Sequence, residues 1–144
     1  MTLLTLHLAG YLSPSLNEWE RLHPRAKTRE KNRCAVYVGC AAFGRPQSPT
    51  LPFLDKVVCT YTRLRRKGSR GLDDDNLAGS FKPIGDALER AGVVENDRQI
   101  ILVTRQKLVG MDGDWGTCLE FSAPVFCPTC GLPAPVGSLV DVKA

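Results

Sequence analysis

The chain contains no apolar run long enough to cross a bilayer. Its first ten residues, MTLLTLHLAG, lack the basic start and extended apolar core of a secretory signal. A membrane span and export by that route are therefore not expected, and a cytoplasmic setting is. No internal repeat is present. A second Cys-x-x-Cys pair is missing, so the single pair at Cys127 and Cys130 cannot by itself complete a tetrahedral zinc site. The acidic run Asp73-Asp74-Asp75 also lacks the glutamate of a calcium loop. Counting from Asp73 puts Ile84 at the twelfth position, and counting from Asp74 puts Gly85 there. A large net charge is absent too, the formal value being +4.

What is present is one domain's worth of ordinary globular sequence, with 144 residues and 43% hydrophobic content. The modest charge is unevenly placed. Arg63, Arg65, Arg66, Lys67 and Arg70 form one basic run, and Arg21, Arg25, Lys27, Arg29, Lys31 and Arg33 form another, beside His23. Together they hold eleven of the nineteen lysines and arginines. Such clustering suits a protein that neutralises a phosphate backbone, although charge runs are also commonly just solvated helix faces.

The first basic run leads directly into LDDDNLAGSFKPIGDALERAGVVENDRQI, residues 72–100. Asp73, Asp74, Asp75, Asp86 and Asp97 cluster there around one lysine, Lys82. Carboxylates this close repel unless a cation, hydrogen bonds or water relieves them, and an all-oxygen set suits Mg²⁺ or Mn²⁺ rather than zinc. A simpler reading stands beside this one. An acidic helix start can serve only as a cap, with Asp75 or Asn76 accepting from free backbone N–H groups. Pro83 predicts a kink or a fresh helix start between Gly79 and Pro83. From there Ile84, Ala87, Leu88 and Ala91 recur as a buried face, and Gly92 provides the stop. Lys82 and Asp86 fall one turn apart on the opposite face, where Asp86 could orient the lysine or act as an exposed salt-bridge partner.

The order and spacing of these residues resemble the RusA family of Holliday-junction resolvases. The matching elements are Asp73-x-Asp75-Asn76, Lys82 followed by Asp86-Ala87-Leu88, Ala91-Gly92, and Asp97 before Arg98-Gln99-Ile100. The resemblance implies that Asp73, Asp75 and Asp97 hold Mg²⁺, or Mn²⁺ in its place, and that Lys82 is the essential cation. It further implies a homodimer acting on branched DNA, with Asn76 and Asp86 in support, and the charge clustering makes Arg63, Arg65, Arg66, Lys67, Arg70, Arg25 and Lys27 the residues expected to face the nucleic acid. Two departures stand out. Gly79-Ser80-Phe81 reads as a three-residue insertion relative to compact members, nearly one helical turn, and Asn96 occupies a position where some members carry a second aspartate. A DNA-binding protein without catalysis and a nuclease directed at flaps or forks remain as alternatives.

Elsewhere the pattern predicts an α/β (α+β) domain, a mixed sheet covered by helices over residues 1–126, followed by a Cys-x-x-Cys turn and irregular tail over 127–144. Leu4, Leu6 and Leu8 alternate as a strand with His7 on its surface, and residues 13–17 read as a turn. Residues 25–43 read as a helix with Ala35, Val36, Val38 and Ala41 available to pack. Residues 44–52 read as a loop and 56–63 as a strand. Two more strands, 99–109 and 117–122, are joined by a Gly- and Asp-rich turn over 111–116. Cys34, Cys40 and Cys59 are expected in the core. Cys127-Pro128-Thr129-Cys130-Gly131 resembles a zinc knuckle; half a structural zinc site, reduced turn thiols and, less compatibly with a reducing compartment, a disulfide are its three readings. Four zinc ligands would require Cys118, Cys34, Cys40, Cys59 or a histidine in addition, or the same pair from a second subunit.

Overall fold

Alternation of Leu4, Leu6 and Leu8 produces a strand whose leucines all face one side and are buried, while His7 stays exposed. A computed structural model of the chain describes residues 2–43, 51–110 and 113–135. Its elements are β1 (Thr2–Ala9), α1 (Leu16–Arg21), α2 (Pro24–Phe43), β2 (Val57–Arg65), α3 (Asp74–Gly79), α4 (Lys82–Arg90), a 3₁₀ turn (Asp97–Gln99), β3 (Ile100–Leu108) and β4 (Gly116–Ser122). Two-residue strands β5 (Val125–Phe126) and β6 (Pro133–Ala134) follow.

The four long strands form one mixed sheet in the order β1-β4-β2-β3, giving a small α+β domain. β2 runs parallel to β3, with Tyr61 opposite Thr104, and antiparallel to β4, with Tyr61 opposite Leu119. The two strands expected on either side of the Gly- and Asp-rich turn therefore do not pair with each other; Met111 and Asp112 of that turn lie outside the described residues. β2 lies between them as a central strand, with Val57, Cys59 and Tyr61 buried on the face that joins the core. β3 takes the edge, where exposed Arg105 and Lys107 discourage further pairing.

α2 and α4 pack together, and Cys34, Val38, Ala42, Ile84, Ala87 and Leu88 meet Leu4, Leu6, Leu8, Cys59, Tyr61 and Phe121 in one core. The buried stripe of α2 is thus Cys34, Val38 and Ala42 at four-residue spacing, and Val36 is 65% exposed rather than packed. Cys40 is exposed rather than in the core, whereas Cys34 and Cys59 are buried. The turn read over residues 13–17 passes at Leu16 into α1, a short helix capped where Ser15 Oγ accepts from Glu18 N at 3.2 Å. Most of the expected loop after Phe43 lies outside the described residues.

α4 ends as its sequence predicts. Gly92 adopts φ +75°, Val93 N donates to Leu88 O at 2.9 Å and Gly92 N to Glu89 O at 3.1 Å, closing a two-bond glycine stop with Val93 buried behind it. Beyond β4 the chain is less irregular than expected, since Val125 and Phe126 pair with Ala134 and Pro133 across the cysteine turn.

Candidate metal and nucleic-acid site

Asp73 is the residue on which this segment turns. It precedes α3 in extended conformation, and its Oδ1 accepts from Asn76 N at 2.8 Å and from Asn76 Nδ2 at 2.9 Å. The cap is therefore Asp73 itself, not Asp75 or Asn76. Asn76 also accepts from Asn17 N at 3.0 Å through its Oδ1, which ties the start of α3 to α1. The two donated bonds from Asn76 hold the Asp73 carboxyl below the usual carboxylate range. Among the described residues Oδ2 of Asp73 has no partner, so the carboxylate is oriented by one oxygen and offers the other. Asp75, one position into the helix, is exposed.

Because Asp73 titrates lower in the folded chain than in the unfolded one, its contribution to stability is present above the unfolded pKa and is lost as pH falls through the folded pKa. Asn76→Ala should raise the Asp73 pKa toward the ordinary value. The stability gap between wild type and variant should then narrow as the medium is acidified through that range. Carboxyl titration by NMR with thermal melts at several pH values checks both; an Asp73 pKa unmoved by the substitution contradicts the capping geometry.

Gly79-Ser80-Phe81 is the corner between α3 and α4, with Ser80 and Phe81 buried. Ser80 Oγ donates to Leu77 O at 2.6 Å and lies 2.9 Å from Tyr61 Oη, while Ser13 Oγ donates to Ser80 O at 2.6 Å. Phe81 packs its ring 5.6 Å from that of Tyr61. Gly79 approaches α1 so closely that an added Cβ would lie 2.5 Å from Leu16 Cβ. Ser80 and Phe81 thus anchor the corner on β2 and Gly79 seats it against α1, which fixes where α4 begins. Lys82 is its first residue and Pro83 its second, as the fresh-start expectation required. The lysine is exposed and forms no ion pair among the described residues.

Asp86 does not pair with Lys82. Its carboxylate meets Lys31 Nζ of α2 at 3.2 Å, because packing of α4 on α2 brings a cation from the neighbouring helix closer than the one a turn away. Asp97 is exposed at the head of the 3₁₀ turn, whose box is built by Asn96 Oδ1 accepting from Arg98 N and Gln99 Oε1 accepting from Asn96 N, both at 2.9 Å. Its Cβ lies 3.9 Å from where a Cβ on Gly85 of α4 would stand. Asp73 and Asp75 therefore share one helix start, and Asp97 flanks the next helix. Among the described residues no three acidic, imidazole or thiol side chains stand together as a formed metal cluster.

The basic run divides in two. Arg63 and Arg65 are partly buried; their Nη1 atoms donate to Ser13 O at 2.7 Å and Ser69 O at 3.2 Å, and each keeps a buried Nε without a partner. Arg65 thus braces the chain approaching α3, and Arg63 the chain approaching α1. Arg66, Lys67 and Arg70 are exposed, with Arg66 stacked 5.3 Å from the Trp115 ring centroid. In the second stretch Arg25 is exposed and Lys27 lies 5.8 Å over the Trp19 ring. Gln106 is not legible in the sequence as a contributor, yet its side-chain amide bonds both N and O of Leu72 from β3 and so sets the approach to Asp73. Only its long-range partner reveals this; the strand pattern carries no sign of it.

The cysteine turn is ordered by its own backbone. Cys127 N donates to Leu132 O at 2.9 Å, Gly131 N donates to Cys127 O at 2.7 Å, and Gly131 has φ +72°. N–H groups of Cys130 and Thr129 point at Cys127 Sγ and hold its thiol below the ordinary range. Cys118, one of the candidate further ligands, sits on β4 beside His7.

No known family model matches the chain, and no curated protein matches it.

Proposed function

We propose that the chain is a homodimeric, Mg²⁺-dependent, structure-selective DNA endonuclease of the RusA type, resolving four-way junctions by paired phosphodiester hydrolysis. The observation that carries this reading is the ordered set Asp73-x-Asp75-Asn76, Lys82, Asp86-Ala87-Leu88 and Asp97. Its support from geometry is that Asp73, Asp75, Lys82 and Asp97 are all exposed around α3 and α4, downstream of the exposed cations of residues 66–70.

The donor set fits a hard cation, being carboxylate throughout, with Asp73 presenting Oδ2 from a carboxylate that Asn76 orients. Asp73, Asp75 and Asp97 would hold Mg²⁺, with Mn²⁺ able to substitute. When bound, the ion would supply charge neutralisation at the scissile phosphate and a more acidic water. The chain's own residues do the rest: Asn76 orients Asp73, Lys82 offsets charge gathering on the phosphate oxygens, and Arg66, Lys67 and Arg70 hold the flanking backbone. A junction with approximate two-fold symmetry needs two cuts, which a two-fold dimer supplies with two matching sites.

Replacing Arg66, Lys67 and Arg70 together by Ala should weaken junction binding by a similar factor on every sequence. It should also reduce the slope of log affinity against log salt by roughly 0.9 for each phosphate that is no longer neutralised. An unchanged slope would place the binding surface along Arg25 and Lys27 instead. Structure selectivity is tested by competition in EDTA between a four-way junction, a flap and a duplex of the same sequences, with the junction expected to win. A preference for flaps would shift the reading to fork-directed cleavage. One observation favours DNA binding without catalysis: the Asp73 side chain already serves as a helix cap.

A further inference from the structure

The Cys127–Gly131 turn is built as half of a metal site. Its backbone is locked by Cys127 N to Leu132 O and Gly131 N to Cys127 O, and the flanking β5–β6 ladder pairs Phe126 with Pro133. A left-handed glycine directly after the second cysteine, in a turn closed by its own backbone bonds, is the arrangement by which a short turn presents two thiolates to one tetrahedral ion. Both cysteines are accessible, Cys127 partly and Cys130 fully.

A closed site needs four donors, and among the described residues this chain offers none of the rest at that place. All six cysteines and both histidines lie within the described residues, where no three potential ligands gather. Cys34 and Cys59 are locked in the core, and Cys118 is held on β4. Two soft thiolates with an open side select zinc among the common divalent ions. A second copy of the same turn supplies the missing two by symmetry, since a two-fold axis through the ion makes each half-site complete the other.

We propose that Cys127 and Cys130 bind zinc jointly with the same two residues of a second copy, one ion bridging two chains through four thiolates. This inference stands apart from the nuclease reading, because neither the carboxylates nor Lys82 enters it.

The test uses full-length protein prepared with reductant and loaded with zinc alone. Metal analysis should give one zinc per two chains. X-ray absorption at the zinc edge should show four sulfur neighbours at about 2.3 Å. Cys127→Ser combined with Cys130→Ser should abolish binding of the ion. One zinc per chain, a shell of two sulfurs completed by nitrogen or oxygen, no zinc, or zinc retained in the double variant would each overturn the proposal. The absorption measurement on the unaltered chain decides it even if the double variant does not fold. Junction cleavage by that protein is a separate readout, so failure here leaves the nuclease reading untouched and the reverse.

Discussion

Asp75→Asn and Asp97→Asn are each expected to lower junction cleavage in Mg²⁺ by about 10²-fold or more while leaving junction affinity in EDTA nearly unchanged. Each substitution removes one ligand charge but none of the exposed cations at residues 66, 67 and 70. A bound divalent ion contributes several kcal/mol to stabilising charge in the transition state, and about 1.36 kcal/mol corresponds to tenfold in rate. Losing part of that contribution is enough for the stated fall. Both carboxylates are exposed and make no hydrogen bond among the described residues, so folding should be unaffected; matching thermal melts would establish that. The comparison with Asp73→Asn is informative because Asp73 also caps α3. That variant should lose both activity and some stability. If Asp75→Asn or Asp97→Asn cuts at the wild-type rate, that residue is not a principal ligand, and the acidic run is reduced to its capping role.

Lys82→Ala should lower the single-turnover cleavage rate by roughly two orders of magnitude, the range expected when a cation facing developing charge is removed. Metal affinity and junction affinity should hardly change, because the lysine is neither a carboxylate nor part of the 66–70 cations. The buried corner at Ser80 and Phe81 makes this a sharp test: it fixes the first turn of α4, so Lys82 projects from a rigid point. Lys82→Arg should recover only part of the rate if a compact charge is needed. Normal turnover in Lys82→Ala would mean that another cation serves, and Arg98, exposed next to Asp97, is the nearest in sequence to a ligand.

Local signals are legible in the sequence and distant ones are not. The buried stripe of α4 and its glycine stop can be read because both depend on residues within a few positions of one another. The break at Pro83 is legible for the same reason. α1 is hard to see, although Ser15 followed by Glu18 is a recognised helix-start pattern; six residues between two turns offer too little periodicity. The place of β4 between β1 and β2 depends on pairings such as His7 with Cys118, which no local pattern encodes. Helical spacing matches Asp86 to Lys82, but its partner is Lys31 on α2. Arg63 and Arg65 look like members of a solvent-facing run. Strand alternation puts both on the side of Tyr61, where they bond to main-chain carbonyls and leave the exposed role to Arg66, Lys67 and Arg70.

Incubation of the purified protein with an end-labelled four-way junction, with Mg²⁺ and separately with EDTA, tests the central claim most directly. Paired cuts placed symmetrically across the branch point in Mg²⁺, absent in EDTA and absent on a duplex of the same sequence, are the result expected. Tight junction binding with no cleavage in Mg²⁺ or Mn²⁺ would contradict it.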